Sequence, residues 1–188
     1  YYPEGFNPVK IVVSDKYVRA TPGGVGEAKT AGNYAACNLA EKQAQAQGFT
    51  QVLWLDAVER KYIEEVGSMN IFFVIDDEIV TPQLNGTILP GITRKSVLEL
   101  ARHWDLKTSE RRISIDEVLE GLESGRVSEV FGAGTAAVIS PVGLLHYRGQ
   151  SSQVGDGQTG PVAKRFFEHL TAIQYGREND PFGWVETF

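Results

Sequence analysis

Residues 23–34 read GGVGEAKTAGNY, and the reading of this stretch decides between two folds. Its first eight residues nearly satisfy the phosphate-loop pattern G-x-x-x-x-G-K-[ST], and VLWLD at 52–56 would pass for the metal-binding strand of a nucleotide-binding α/β domain. The match fails at Ala28, where that pattern needs a glycine so that backbone amides can wrap a phosphate. The lead-in, ending Ala20-Thr21-Pro22, is also too polar for a buried central strand. What remains is Lys29, between a glycine loop and the start of a helix, with the small residues Ala28, Thr30, Ala31 and Gly32 around it. A lone lysine is ordinarily a solvated charge. A nucleophilic lysine needs uncrowded, partly desolvated surroundings that favour the neutral amine, and Lys29 is expected to have them.

Upstream, VKIVVSDKYVRA (9–20) holds two β-rich runs around Ser14-Asp15-Lys16 and predicts a hairpin or bulged strand. Downstream, Asn33 to Gln47 reads as a helix in which Ala36, Leu39, Ala40 and Ala44 share a face, with Gly48 as its stop. VLWLD is a buried strand, and NIFFVIDDEIVTP (70–82) predicts a hairpin about Asp76-Asp77. Pro90-Gly91 precede a helix faced by Val97, Leu98, Ala101 and Trp104. Ser114 and Glu117 form a capping box ahead of another, which a glycine closes. SEVFGAGTAAVISPV (128–142) is a strand interrupted by a small-residue loop. Pro161 starts a last helix on which Val162, Phe166, Leu170 and Ile173 face the core. With no repeat and no linker, residues 1–188 parse as one mixed α/β (α+β) domain.

Two loops suit an anion. LPGITR (89–94) leads straight into a helix, so the amides of Ile92 and Thr93 face outward at its positive end. GAGTAA (132–137) brings Thr135 on a backbone that a phosphate or carboxylate can approach closely. Together they indicate an anionic cofactor or substrate.

Composition narrows the classes. An apolar fraction of 42% and a charged fraction of 22% are those of a globular protein, and a net charge of −6 offers no basic stripe for nucleic acid. No apolar run approaches the roughly 20 residues of a membrane span, and no signal peptide opens the chain. Cys37 is alone, which rules out an internal disulfide or a CxxC pair; it reads as a small buried helix residue and fits a reducing, cytoplasmic setting. His103, His146 and His169 lack metal-ligand spacing, so no metal is expected. The opening Tyr1-Tyr2-Pro3, with Met69 the one methionine, suggests a chain that has lost N-terminal sequence.

AKTAGNY, EVGSMN, LPGITR and FGAGTAA occur in the order of the corresponding segments of fold-type IV pyridoxal phosphate enzymes. GGVG, WLDAVERKYIEEVGSMN and the late QYG resemble the branched-chain amino acid aminotransferases in particular, from about Tyr1 to Gly176. The resemblance implies the family's large domain, a barrel-like mixed sheet with outer helices, with the small N-terminal domain absent from this chain. It implies pyridoxal 5′-phosphate as cofactor and transamination between leucine, isoleucine or valine and 2-oxoglutarate, with glutamate as the partner amino acid. The family is dimeric, so a homodimer is expected. D-amino acid transamination or aminodeoxychorismate cleavage on the same fold, and a truncated non-catalytic domain, are the alternatives.

The resemblance also assigns roles. Lys29 would be the Schiff-base lysine and the catalytic base and acid. Tyr34 would bond the cofactor's 3′-oxygen and border the substrate, and Glu65 would pair with the pyridine nitrogen, keeping it protonated. Ile92, Thr93 and Thr135 would hold the phosphate, and the Thr135-Ala136 amides the substrate carboxylate. Arg19 aligns with an arginine near the cofactor, and Ser68 and Met69 would line the side-chain pocket. Glu64, adjacent to Glu65, has no aligned role and is expected to be a solvated charge. Some relatives carry a redox CxxC after the GTA loop; here those positions are Ala137 and Ser140, so thiol regulation is not expected. The phosphate-binding arginine and much of the substrate pocket would come from the small domain, and the isolated chain is expected to transaminate poorly.

Overall fold

Asp76 and Asp77 both take left-handed backbone angles, φ 49° and 62°, the requirement of a two-residue hairpin turn whose twist matches its strands. They join β4 (Met69–Ile75) to β5 (Glu78–Pro82). This hairpin belongs to a nine-stranded mixed sheet in a computed structural model that describes residues 6–186. Tyr1-Tyr2-Pro3 lies outside the described residues.

The other strands are β1 (Val9–Val13), β2 (Gln51–Leu55), β3 (Ile63–Val66), β6 (Thr108–Arg111), β7 (Val127–Gly134), β8 (Val138–Tyr147) and β9 (Gln150–Gln153). Their order is β3-β2-β1-β8-β7-β4-β5-β6, and β3 also pairs with β4. Six strands therefore close into a ring, β3-β2-β1-β8-β7-β4, with β5 and β6 continuing beyond β4 and β9 attached to β8. β1 runs parallel to both β2 and β8, while the remaining ring pairs are antiparallel. This is the barrel-like mixed sheet expected; closure leaves the six ring strands paired on both sides, and β6 and β9 remain as edges.

Alternation along the strands distributes the core. Ile11, Leu53, Leu55, Ile71, Phe73 and Leu145 pack together with Val118 of helix α3 (Ile115–Ser124). The intervening Phe72, Val74 and Phe131 pack on Val97 and Ala101 of α2 (Ile92–His103) and on Phe166 and Leu170 of α4 (Pro161–Gln174). Val52 and Trp54 meet Cys37, Ala40 and Ala44 of α1 (Ala31–Ala46). None of the described helices is long and apolar enough to cross a membrane.

Three expectations are corrected. Residues 14–20 form no second strand: Ser14 Oγ accepts from the Tyr17 amide and donates to its carbonyl, which turns the chain instead. The buried face of α1 is Asn33, Cys37, Ala40 and Ala44, leaving Ala36 and Leu39 exposed. Asn33 is inside because its Nδ2 donates to the Val25 and Ala28 carbonyls, tying the glycine loop to the helix. The capping box is half made: the Glu117 amide donates to Ser114 Oγ, but the Glu117 carboxylate pairs with Arg111.

Candidate active site

Five segments meet at one end of the ring. The loop between β1 and α1 brings Lys29, β3 and the turn after it bring Glu65 and Ser68, β4 brings Asn70, the start of α2 brings Ile92 and Thr93, and the β7–β8 turn brings Thr135. They line a cavity of ≈ 320 Å³ together with Leu89, Pro90, Gly91, Ala133 and Gly134, a size within the roughly 300–1,000 Å³ of small-molecule sites. A larger open groove, ≈ 790 Å³, lies between Leu119 and Leu122 of α3 and residues 147–153. Its walls present Glu123 and Arg148 but no buried charge, so size does not decide the matter.

Glu65 is the buried carboxyl group of the cavity. Its Oε1 accepts from the Leu89 amide at 3.0 Å and from Asn70 Nδ2 at 3.2 Å, and its Oε2 lies 2.6 Å from Arg19 Nε. Its carboxyl is raised to about 7, chiefly by burial and also by the neighbouring Glu64, with Arg19 and the Leu89 amide drawing it down. Arg19 is itself fixed, since its NH2 group donates to the carbonyls of Gly26 and Thr87. It lines a smaller cavity behind Glu65, with Tyr34, Cys37 and Glu41.

Lys29 Nζ donates to Tyr34 Oη at 3.1 Å. The amine is exposed rather than partly desolvated as expected. Helix α2 starts at Ile92 behind Gly91, whose place as N-cap supplies no side-chain hydrogen bond. The first amides of the helix are therefore without intrahelical partners and open to an anion. In the β7–β8 turn the Ile139 amide donates to the Ala137 carbonyl across Val138, which has φ 59°. A β-branched residue in the left-handed region is strained, a condition that collects at functional turns.

The cavity thus unites Lys29, Glu65, Ser68, Ile92, Thr93 and Thr135. Tyr34 joins through Lys29, and Arg19 stands behind Glu65. Met69 does not line it: its side chain is buried beneath Gly132 and Gly134. Ala136 is exposed beside the turn, outside the lining. Glu64, expected in solvent, is only 2% exposed. Asn70 was missed as a site residue. It stands at the end of the EVGSMN motif, and its Nδ2 bridges Glu65 and the Leu89 carbonyl; an amide ending a run whose carboxylate is buried was the available signal.

Comparison with known proteins adds ancestry. The model of the amino-transferase class IV family matches residues 1–145. The chain belongs to the class IV aminotransferase family. It is 56% identical over 98% of its length to branched-chain-amino-acid aminotransferase 2 of Bacillus subtilis, and 55% identical over 98% to branched-chain-amino-acid transaminase 1 of the same organism. The match takes in 51% and 52% of those proteins, so this class IV chain spans about half the length of the curated relatives it matches. Among solved structures, the branched-chain amino acid aminotransferase of Escherichia coli superposes with a TM-score of 0.84 at 33% identity, over 98% of this chain and 57% of that one. A T.th. branched-chain amino acid aminotransferase complexed with N-(5′-phosphopyridoxyl)-L-glutamate gives 0.81 at 32%, over 95% and 56%.

Proposed function

We propose that the whole protein of which this chain forms the cofactor-bearing part is a branched-chain amino acid aminotransferase, exchanging amino groups between leucine, isoleucine or valine and 2-oxoglutarate with pyridoxal 5′-phosphate. The observation that carries the reading is one cavity lined by an amine, a buried carboxylate and an uncapped helix start. Relatives more than half identical bear that enzyme's name, and similar structures are described with a phosphopyridoxyl-glutamate and with 4-methylvaleric acid.

The residues present fit the cofactor. The unpartnered amides of Ile92 and Thr93, with Thr135, would hold its phosphate; Glu65 would face its ring nitrogen; Tyr34 would hold its ring oxygen; and Lys29 would carry it. Bound there, the cofactor supplies an electron sink for the charge left at the substrate Cα. Lys29 Nζ is the base and acid that takes a proton from Cα and returns one. The Tyr34 hydroxyl, in reach of that amine, orients it. Glu65 keeps the ring-nitrogen proton in place through a charge that Arg19 and two N–H donors stabilise. The substrate carboxylate would lie at the Thr135-Ala136 amides, with Ser68 on the side-chain wall.

Residues 1–188 make the large domain in this reading, and a small N-terminal domain supplies the remaining wall of the pocket and an arginine for the phosphate; the half-length match to the relatives supports this. A homodimer is the expected assembly. Borohydride reduction after addition of pyridoxal phosphate, followed by peptide mapping, should place the label on Lys29. Label elsewhere would refute the assignment. Assay of the full-length enzyme with valine and with D-alanine should favour valine; a preference for D-alanine would transfer the protein to another activity of the same fold.

A further inference from the structure

Two consecutive carboxylates are buried on β3, and the reaction uses one of them. The pairing of β2 with β3 shifts register between Trp54 and Leu55, so that Leu55 faces Ile63 and Trp54 faces Glu65, leaving Glu64 as the extra residue of a β-bulge. Both acids consequently reach the same segment: Glu65 accepts from the Leu89 amide, and Glu64 Oε1 meets Thr87 Oγ1. Glu64 Oε2 has no hydrogen-bond partner among the described residues.

The protons around Thr87 do not suffice for an ionised Glu64. Thr87 Oγ1 lies within hydrogen-bond reach of Glu64 Oε1 and 2.7 Å from Asn85 Oδ1. The Asn85 side chain is fixed with its oxygen inward, because the Thr87 amide donates to that same Oδ1 at 3.1 Å. A hydroxyl has one proton, yet it faces two acceptors. The count closes if Glu64 carries the missing proton: Glu64 donates to Thr87 Oγ1, and Thr87 donates to Asn85. Around Glu65, by contrast, the Leu89 amide and Asn70 Nδ2 donate and the Arg19 guanidinium stands 2.6 Å away, which suits a carboxylate.

Facing Glu64 are Arg19 from the loop after β1, Asp56 just after β2 and Glu65 on β3. Asp56 accepts from four backbone amides and stays ionised. An ionised Glu64 would be a third anion beside one guanidinium. Burial pushes both Glu64 and Glu65 up, against hydrogen bonding with Thr87 and Asn85 at the first, and the contact of Arg19 with Glu65 Oε2 decides which of the two keeps the charge.

We propose that Glu64 is a neutral carboxylic acid, donating from Oε1 to Thr87 Oγ1, and that it acts as a positioning residue by leaving the charge of Arg19 to Glu65. Uncharged, Glu64 no longer opposes ionisation of Glu65, and it holds Thr87, whose carbonyl anchors Arg19. The protonation state stands on hydrogen-bond geometry alone; its consequence for the ring nitrogen rests on the pyridoxal phosphate reading. Two carboxyls in contact, one kept neutral and one charged, is a division of roles that such pairs adopt.

Infrared spectroscopy of the full-length protein with carboxyl-¹³C glutamate tests this, without cofactor and again with pyridoxal phosphate. At a pH well above the value of about 7 to which Glu65 is raised, an acid carbonyl band should be present, disappear in Glu64→Gln and persist in Glu65→Gln, while the difference spectrum of Glu65→Gln should show the loss of one carboxylate component. Absence of the acid band, or its loss in Glu65→Gln instead, would overturn the proposal. Thr87→Val removes the acceptor and should shift the band to the higher frequency of a free acid; an unmoved band would equally overturn it. Because the first measurement contains no cofactor, failure of Lys29 to take up pyridoxal phosphate would sink the functional reading without touching this one.

Discussion

The side-chain oxygen of Asn70 occupies the space a β-carbon would need at residue 91, so Asn70 and Gly91 are fitted to each other. The fit matters because the same amide, through Nδ2, holds Glu65 and the Leu89 carbonyl. Gly91→Ala must displace Asn70, and a loss of about 1–3 kcal/mol is expected in urea unfolding, with weaker uptake of pyridoxal phosphate. The double variant with Asn70→Ala should lose clearly less than the two single losses added. Additive losses would mean that the two positions are uncoupled.

Arg19→Met removes the cation from a pair whose side chains are 7% and 4% exposed. A buried charge left without its partner costs about 3–5 kcal/mol. Adding Glu65→Gln to Arg19→Met should recover a good part of that loss. If Arg19→Met unfolds at the same denaturant concentration as the parent, the ion pair has no structural weight.

Asp56 should set part of the acid limit of stability. Partial burial raises its carboxyl, but hydrogen bonds from the amides of Glu59, Tyr62, Lys61 and Val58 outweigh it, and the net shift is downward. A group lowered in the folded state favours folding fully above its ordinary value, and that contribution is lost as pH falls through the folded one. Asp56→Asn should therefore lower stability near neutral pH by about 1–3 kcal/mol and flatten the decline on acidification. Parallel pH profiles for variant and parent would contradict this.

In the full-length enzyme Lys29→Ala should reduce kcat by at least roughly the 10²–10⁴-fold that general acid–base catalysis contributes. Tyr34→Phe, which deletes only the hydroxyl that Lys29 Nζ meets, should cost less and alter kcat more than KM. Stopped-flow measurement of substrate Cα deprotonation separates the two. An unchanged rate in Lys29→Ala would end the assignment.

Local chemistry was the legible part of this protein. Asp76-Asp77, Ser114 and Pro161 each announce a turn or a helix end through their own backbone requirements, and the structure follows them. The buried face of α1 was not legible. Alanines recur all round that helix, so periodicity has little contrast, and docking on Trp54 together with the Asn33 hydrogen bonds selects the face. Glu64 was misread for a related reason. Its burial depends on a bulge opposite Trp54 and Leu55, which is a relation between two strands that neither strand states alone. The β3–β4 pairing that closes the ring is likewise a matter of global geometry.

The place of β1 has a consequence in time. It is the earliest of the described strands to be synthesised, yet it lies between β2 and β8, and its register with β8 joins Val9 to Val142 across most of the chain. Such distant parallel pairing must bear the entropy of closing a very long loop before any contact rewards it, which makes folding slow. During translation Lys29 and Glu65 leave the ribosome well before the strand that completes the ring. The amine therefore exists long before its pocket does, and the assembly of the site is a late event in the life of the chain.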